Sequence, residues 1–307
     1  MKQILTLAAS AVALAGCATM NSGPVAGPAT AGNEKTAPDT MRWLYGSGEA
    51  AAASIQTWRQ IADYSIAVVH QRKAPQSVPM GLPDGTTGGI GTPSCIKADG
   101  TAKPFAAVFD VDETVLLNTG YEYWQALTGK PFDANEWAQW ANNGAGIAQP
   151  VPGAVTGLRR LREAGITVIF NTNRDSDTAA GAVAAIEAAG TGPAVHGQTL
   201  FLRGDDDMGS RKDGRRAKIA ENYCVIAMAG DNLGDFADVF NADESAIAAR
   251  RTMVARGEYA QLWGNGWFLV PNPVYGAWQK GTLDEVFPPE TRWKPSPGDA
   301  PVTMTRP

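Results

Sequence analysis

Histidine is scarce in this chain: His70 and His196 are the only two among 307 residues. Zinc hydrolases usually combine two or three histidines with carboxylates, so that chemistry has little to draw on. Neither histidine follows an arginine, which excludes an Arg-His-Gly nucleophile carrying phosphate on histidine. There are three cysteines, and nothing beside Cys95 or Cys224 suggests a cysteine-histidine pair. Positive charge is not in excess, with 26 basic against 31 acidic residues and a net charge of −5. No Lys/Arg stripe with interleaved aromatics is present, so nucleic acid is not an expected partner. Catalysis, if any, falls to carboxylates, amides and lysine. With 44% hydrophobic and 19% charged residues, the chain can bury a sizeable core.

The N-terminus reads as an address. Lys2 precedes an apolar run from Ile4 to Ala15 that is too short to cross a membrane. Leu14-Ala15-Gly16-Cys17 resembles a bacterial lipobox, in which residues 1–16 are a signal peptide and Cys17 carries the lipid. Ala18 rather than Asp follows it, which by resemblance to lipoprotein sorting points to the outer membrane. Residues 17–40 then form a flexible tether, and a domain over 41–307 is held near a bilayer by lipid alone. Cys95 and Cys224 remain in an oxidising compartment. They either form a disulfide or stay separate, with Cys224 a small buried apolar residue; spacing does not decide between the two.

Apolar three- and four-residue steps predict a helix over residues 41–72. A Gly/Pro/Thr-rich loop follows over 73–103. Short strands that are apolar throughout are then expected at Phe105–Phe109, Ile166–Phe170, Thr199–Leu202, Tyr223–Ala229 and Trp267–Val270. Helices are expected over Pro152–Ala164, Asp175–Ala189 (capped by Asp175 or Ser176), 211–222 and Ala242–Arg256. Alternation of this kind predicts an α/β fold with a parallel sheet covered on both faces. Ligands of such sheets lie beyond the carboxyl ends of the strands.

Three strand ends carry candidate chemistry. The first reads Phe109-Asp110-Val111-Asp112-Glu113-Thr114. Two carboxylates one residue apart at a strand end need a cation, a proton or a basic partner. An EF-hand calcium loop would need more oxygen ligands and a glycine, whereas Val115, Leu116 and Leu117 follow. The second end carries Asn171-Thr172-Asn173-Arg174, suited to an anionic oxygen or simply to helix capping. The third, Gly230-Asp231-Asn232-Leu233-Gly234-Asp235-Phe236, holds two more carboxylates. Lys212 lies upstream, with Arg211 and Lys218 as rivals for one basic role.

Taken together, Asp110-x-Asp112-x-Thr114, Thr172, Lys212, and Asp231 with Asp235 resemble the four motifs of the haloacid dehalogenase (HAD) superfamily. Adding Pro271-Asn272 before Tyr275-Gly276, the segment from about Trp43 to about Trp278 resembles the class C acid phosphatases, bacterial phosphatases related to 5'-nucleotidases. The stretch 76–103 is longer than that family's pattern. The resemblance implies a HAD-like Rossmannoid three-layer sandwich with a small, mainly helical cap insertion over about 118–165. It implies a phosphomonoesterase acting on nucleoside monophosphates through an aspartyl-phosphate, with magnesium held by Asp110, Asp112, Asp231 and Asp235. Asp110 would be the nucleophile. Asp112, its proton held by the carboxylate cluster, would be the acid and base. Thr172, Asn173 and Lys212 would contact phosphate oxygens. Tyr275 is the leading stacking candidate, with Tyr121, Trp124 and Arg174 also facing substrate. A sugar phosphatase or phosphotransferase, or a non-catalytic surface lipoprotein, are the competing expectations.

Overall fold

The computed structural model describes residues 35–71, 76–83, 89–242 and 247–294. Cys17, the signal segment and most of the tether lie outside them. A five-stranded, wholly parallel sheet forms the centre. Its strands are β1 (Phe105–Phe109), β2 (Thr167–Asp175), β3 (Leu200–Arg203), β4 (Cys224–Gly230) and β5 (Trp267–Leu269). Their spatial order is β3-β2-β1-β4-β5. The chain starts at the middle strand, winds outward one way, then crosses to the other side. A crevice opens at the carboxyl ends where that direction reverses.

Side-chain alternation along the strands sorts the core into two layers. Ala107, Phe109, Val168, Phe170 and Ile226 face one side, where they meet Trp58, Ile61, Leu158, Leu161 and Ile186. Those partners come from α2 (Gly48–Gln71), α5 (Ala154–Glu163) and α6 (Ala179–Ala188). Ala106, Val108, Ile169, Val225 and Met228 face the other side. They meet Ile219 and Ala220 of α7 (Asp213–Asn222) and a cluster of Phe236, Phe240 and Trp267. Both faces are dry, which is why the strands read as apolar runs. The result is the expected three-layer α/β sandwich.

Several boundaries differ from expectation. The helix predicted over 41–72 is two, α1 (Asp39–Gly46) and α2. Ser47 adopts an extended backbone between two glycines. Its hydroxyl donates to the Trp43 carbonyl at 2.6 Å and accepts the Ala50 amide at 3.0 Å, capping both helix ends at once. Helix α1 therefore begins inside the segment expected to be tether. The loop over 73–103 contains a paired strand, Met80–Gly81 with Ile90–Gly91. Strand β2 runs on to Asp175, a short 3-10 turn follows, and α6 is capped at Thr178 rather than Asp175 or Ser176. The Asp175 carboxylate is drawn to Arg203 instead. The last predicted helix is α8, Ile247–Val254, with residues 243–246 outside the described set.

The cap insertion is also shorter than 118–165. It consists of α3 (Thr119–Thr128), α4 (Ala134–Asn143) and a short strand pair, Leu116–Leu117 with Gln149–Pro150. After it, α5 packs on α2 and belongs to the main core.

Cys95 and Cys224 are joined in a disulfide across a separation of 129 residues. It ties the segment before β1 to the first residue of β4, and both cysteines are buried. No described helix is long and apolar enough to cross a membrane. Closing so long a loop restricts the unfolded chain, by about 2–4 kcal/mol in typical cases. Reductant should therefore lower the melting temperature of the wild type and leave that of a Cys95→Ser/Cys224→Ser protein unmoved. Equal response of the two would contradict the cross-link.

Candidate active site

Strand register builds the site. Phe109 pairs with Phe170 on one side and with Ala229 on the other. The residues just beyond these pairs, Asp110, Thr172 and Asp231, therefore emerge at one edge of the sheet. The Asp110 amide donates to the Ala229 carbonyl at 2.9 Å, fixing the turn. Carboxylate oxygens of Asp110, Asp231 and Asp235 all lie within 4.8 Å of one another. Asp112 contributes no carboxylate oxygen to this group.

One ammonium faces the cluster. Lys212 Nζ donates to Asp110 Oδ1, and to Asp235 Oδ1 at 2.6 Å, with only 4% of the residue exposed. This singles out Lys212 over its rivals. Arg211 is exposed on the rim, and Lys218 binds the Asp205 carbonyl. Burial would deprotonate Lys212, but Asp110 and Asp235 together hold its pKa above the usual lysine value. The carboxylates remain in excess. Burial pushes Asp110 up to about 7 against the pull of Lys212, with Asp235 and Asp112 adding to the rise. Burial, then Asp110 and Asp235, raise Asp231 well above the carboxylate range. Asn272 Nδ2, a neutral amide, donates to Asp231 at 2.6 Å. Three hard oxygen donors with surplus negative charge fit a small divalent cation such as magnesium.

Asp112 lies apart from the cluster, in an ion pair. Arg174 reaches its Oδ1 through Nε at 3.0 Å and Nη2 at 2.8 Å, and Asn118 Nδ2 donates to the same oxygen at 2.9 Å. Its hydrogen-bond partners are thus donors, while the Asp110 and Glu113 carboxyls lie close enough to feel its charge. Arg174 itself is 2% exposed and does not line the active-site cavity. It also binds Asn118 Oδ1 at 3.0 Å and lies 5.6 Å from the Trp137 ring centroid. Arg174 therefore orients Asp112; it is not the substrate-facing group expected from the sequence.

The donors expected to meet phosphate are likewise engaged. Thr172 is fully buried; its hydroxyl accepts the Arg174 amide at 3.1 Å and lies 3.4 Å from Asp112 Oδ2. Asn173 lines the cavity, yet its amide nitrogen donates to the Ser210 carbonyl at 2.9 Å. Arg215 Nη2 donates to Asn173 Oδ1 at 2.6 Å. Both residues hold the site in place as found.

A cavity of about 1490 Å³ opens above these groups. It exceeds the roughly 300–1,000 Å³ of ordinary small-ligand clefts, leaving room for a bulky group behind a phosphate. Tyr121 and Tyr275 line it; Trp124 does not. Trp124 sits on the outer cap, its indole N–H donating to Glu136 Oε2 at 2.9 Å.

Glu113 was quoted in the first motif without a role. It is 1% exposed and has a positive φ of 55°, unusual for a residue with a Cβ. The strain is held by four donors. Asn118 gives its backbone amide at 2.8 Å and its side-chain amide at 3.1 Å, Tyr45 its hydroxyl at 3.1 Å, and Tyr275 its hydroxyl. Thus α1, the first motif and the loop after β5 are locked together on one carboxylate. Glu113 in the motif and Asn118 five residues on were the available signals. Tyr45 had none, because its partner is distant in sequence, and Asn272 stood out only within the Pro271-Asn272 motif, without its partner Asp231.

The profile of the family described as "HAD superfamily, subfamily IIIB (Acid phosphatase)" matches residues 92–278, more than half of the chain. The class C acid phosphatase from Bacillus anthracis, solved with tungstate bound, is similar in fold. It has TM-score 0.60 and 22% identity over 84% of this chain and 90% of that one. A second structure of the Bacillus anthracis class C enzyme gives TM-score 0.58 and 22% identity over 78% and 85% of the two chains. This chain belongs to the subfamily IIIB acid phosphatases of the HAD superfamily. It is a phosphomonoesterase, which removes the non-catalytic lipoprotein from consideration.

Glu122 supplies a pH prediction. It is 7% exposed on the cavity wall, and burial with the nearby Glu113 charge pushes its carboxyl up to about 7. Tyr45 and Tyr121 are the other titratable groups its charge acts on. A raised folded-state value means the folded protein holds a proton the unfolded chain has released. The Glu122 contribution to stability then falls as pH rises from the ordinary glutamate range to about 7. Glu122→Met should raise the melting temperature more at pH 7.5 than at pH 4.5. The same shift at both values would contradict a proton held on Glu122.

Proposed function

We propose that this phosphomonoesterase is a magnesium-dependent acid phosphatase that cleaves nucleoside monophosphates through an aspartyl-phosphate on Asp110. The observation that carries the reading is the cluster of Asp110, Asp231 and Asp235, in which Asp110 and Asp235 share the buried ammonium of Lys212. Asp110, Asp231 and Asp235 would hold the cation, with the Asp112 backbone carbonyl as a further oxygen. When bound, magnesium offsets the charge of the carboxylates and of the phosphate between them.

An Asp110 oxygen attacks phosphorus, and the bond to the leaving oxygen breaks. Asp110 Oδ1 is engaged by Lys212, while Oδ2 has only the Thr114 hydroxyl at 3.4 Å and is the freer to attack. Asp112, aimed by Arg174 and Asn118, gives a proton to the leaving oxygen and later takes one from water. That water cleaves the aspartyl-phosphate, releases inorganic phosphate and restores Asp110. Lys212 neutralises charge that develops on the phosphoryl oxygens. Export with a lipid on Cys17, leaving the domain at the outer membrane, belongs to the same reading. The buried disulfide supports an oxidising compartment.

Hydrolysis of p-nitrophenyl phosphate by the domain from residue 35 onward should require magnesium and stop with EDTA. Asp110→Asn should lower kcat by at least about 10³-fold, as loss of a nucleophile does elsewhere. Release that ignores EDTA, or that survives in Asp110→Asn, would overturn the mechanism.

Nucleotide preference rests on Tyr275, whose hydroxyl is held by Glu113 while the residue lines the cavity. A ring fixed at one end is suited to stack on a base, worth about 1–3 kcal/mol. Tyr275→Phe should keep the preference for a nucleoside monophosphate over an aryl phosphate, and Tyr275→Ala should lose it. Equal loss on both substrates in Tyr275→Ala would favour the sugar phosphatase alternative.

A further inference from the structure

Glu122 stands outside the catalytic cluster and outside every motif. It lies in the first turn of α3, where its backbone amide donates to the Asn118 carbonyl at 3.0 Å. Its side chain lines the cavity while the residue is only 7% exposed. Among the described residues no donor reaches its carboxyl, although Glu113 close by collects four. Burying a carboxyl without a partner destabilises a fold, and the carboxylate of Glu113 beside it adds repulsion. The first turn of α3 favours an acidic side chain through the helix dipole, but that modest preference does not require one to face the cavity. An apolar side chain of the same length would fill the space without that cost. An unpartnered acceptor on a cavity wall is explained if a ligand completes it.

The position limits what that ligand group is. Asp110, Lys212 and Asp231 line the same cavity and are committed to the phosphate end. Tyr121 and Tyr275 line it as well and offer ring faces to the leaving group. A carboxyl accepts hydrogen bonds whether or not it carries a proton. As an acceptor it meets a group that brings an O–H or N–H.

We propose that Glu122 is a specificity-determining residue that accepts a hydrogen bond from an O–H or N–H on the leaving group, selecting polar leaving groups over bare aryl ones. This deepens the nucleotide reading above and rests on it.

The experiment compares kcat/KM for phenyl phosphate, which has no donor on its leaving group, with ribose 5-phosphate and a nucleoside 5'-monophosphate. Glu122→Met keeps the bulk and removes the acceptor; Glu122→Gln keeps an acceptor. In Glu122→Met the ratio of donor-bearing substrate to phenyl phosphate should fall about three- to tenfold, chiefly through KM, as loss of a hydrogen bond to an uncharged group does. Glu122→Gln should restore part of it, and the melting temperature of Glu122→Met should equal or exceed wild type. A fall for both ribose 5-phosphate and the nucleotide assigns the donor to a hydroxyl. A fall for the nucleotide alone assigns it to the base; either supports the inference. A ratio unmoved in Glu122→Met, or a loss equal on all three substrates with a lowered melting temperature, would overturn it. If the wild type prefers nucleotides and the ratio is unmoved, only this inference falls. If the wild type cleaves phenyl phosphate and neither polar substrate, the nucleotide reading falls with it.

Discussion

Three carboxylates gathered within 4.8 Å of one another, two of them sharing the Lys212 ammonium, are the constraint from which the active site follows. Asp110 is delivered by the turn after β1, and Asp231 and Asp235 by the turn after β4; Lys212 answers only part of their charge. Repulsion of that size is tolerable only where the surroundings leave no alternative geometry. The parallel register supplies that rigidity. Asp110 and Asp231 sit just past hydrogen-bonded strand ends, and Asp235 is fixed by accepting the Asn232 amide at 2.9 Å. Arg216 buttresses the same turn through the Gly234 and Asp235 carbonyls at 3.0 and 2.9 Å.

A second, separate carboxylate organises the substrate side. Glu113 accepts Tyr45, Asn118 and Tyr275, so the helix before the sheet and the loop after it meet at one buried point. Asn118 is shared: it also binds Asp112 and receives the Trp140 indole N–H at 2.8 Å. Acid–base residue, cap and candidate stacking ring are thereby linked through two side chains. The motif carboxylates have divided roles. Asp110 faces the cation site, Asp112 faces Arg174, and Glu113 faces the scaffold.

Much of this was legible before any coordinates. The five strands read correctly because burial on both faces leaves runs such as Phe105–Phe109 wholly apolar. The cluster aspartates stood out because each sits beside a strand end and together they resemble the HAD motifs, whereas Lys212 kept Arg211 and Lys218 as rivals until folding set its ammonium against Asp110 and Asp235. Failures share one cause. Arg174 was assigned to substrate because it follows Thr172 and Asn173, but its partner Asp112 is 62 residues away. The helix break at Ser47 depended on a hydroxyl that caps in both directions. The cap ended early because α5 packs on α2, a tertiary contact that helical periodicity does not reveal. Asn272, Tyr45 and Glu122 took their meaning from neighbours that only folding brings near.

The central claim is that the cluster is a single divalent-cation site whose charge Lys212 leaves unbalanced. Calorimetric titration of magnesium into the metal-stripped protein tests it without reference to catalysis. The account predicts one site per chain, with affinity weakened more than about 100-fold in Asp231→Ala, since disturbing an outer partner alone costs 10–100-fold. No magnesium binding by the wild type, or binding unchanged in Asp231→Ala, would contradict it.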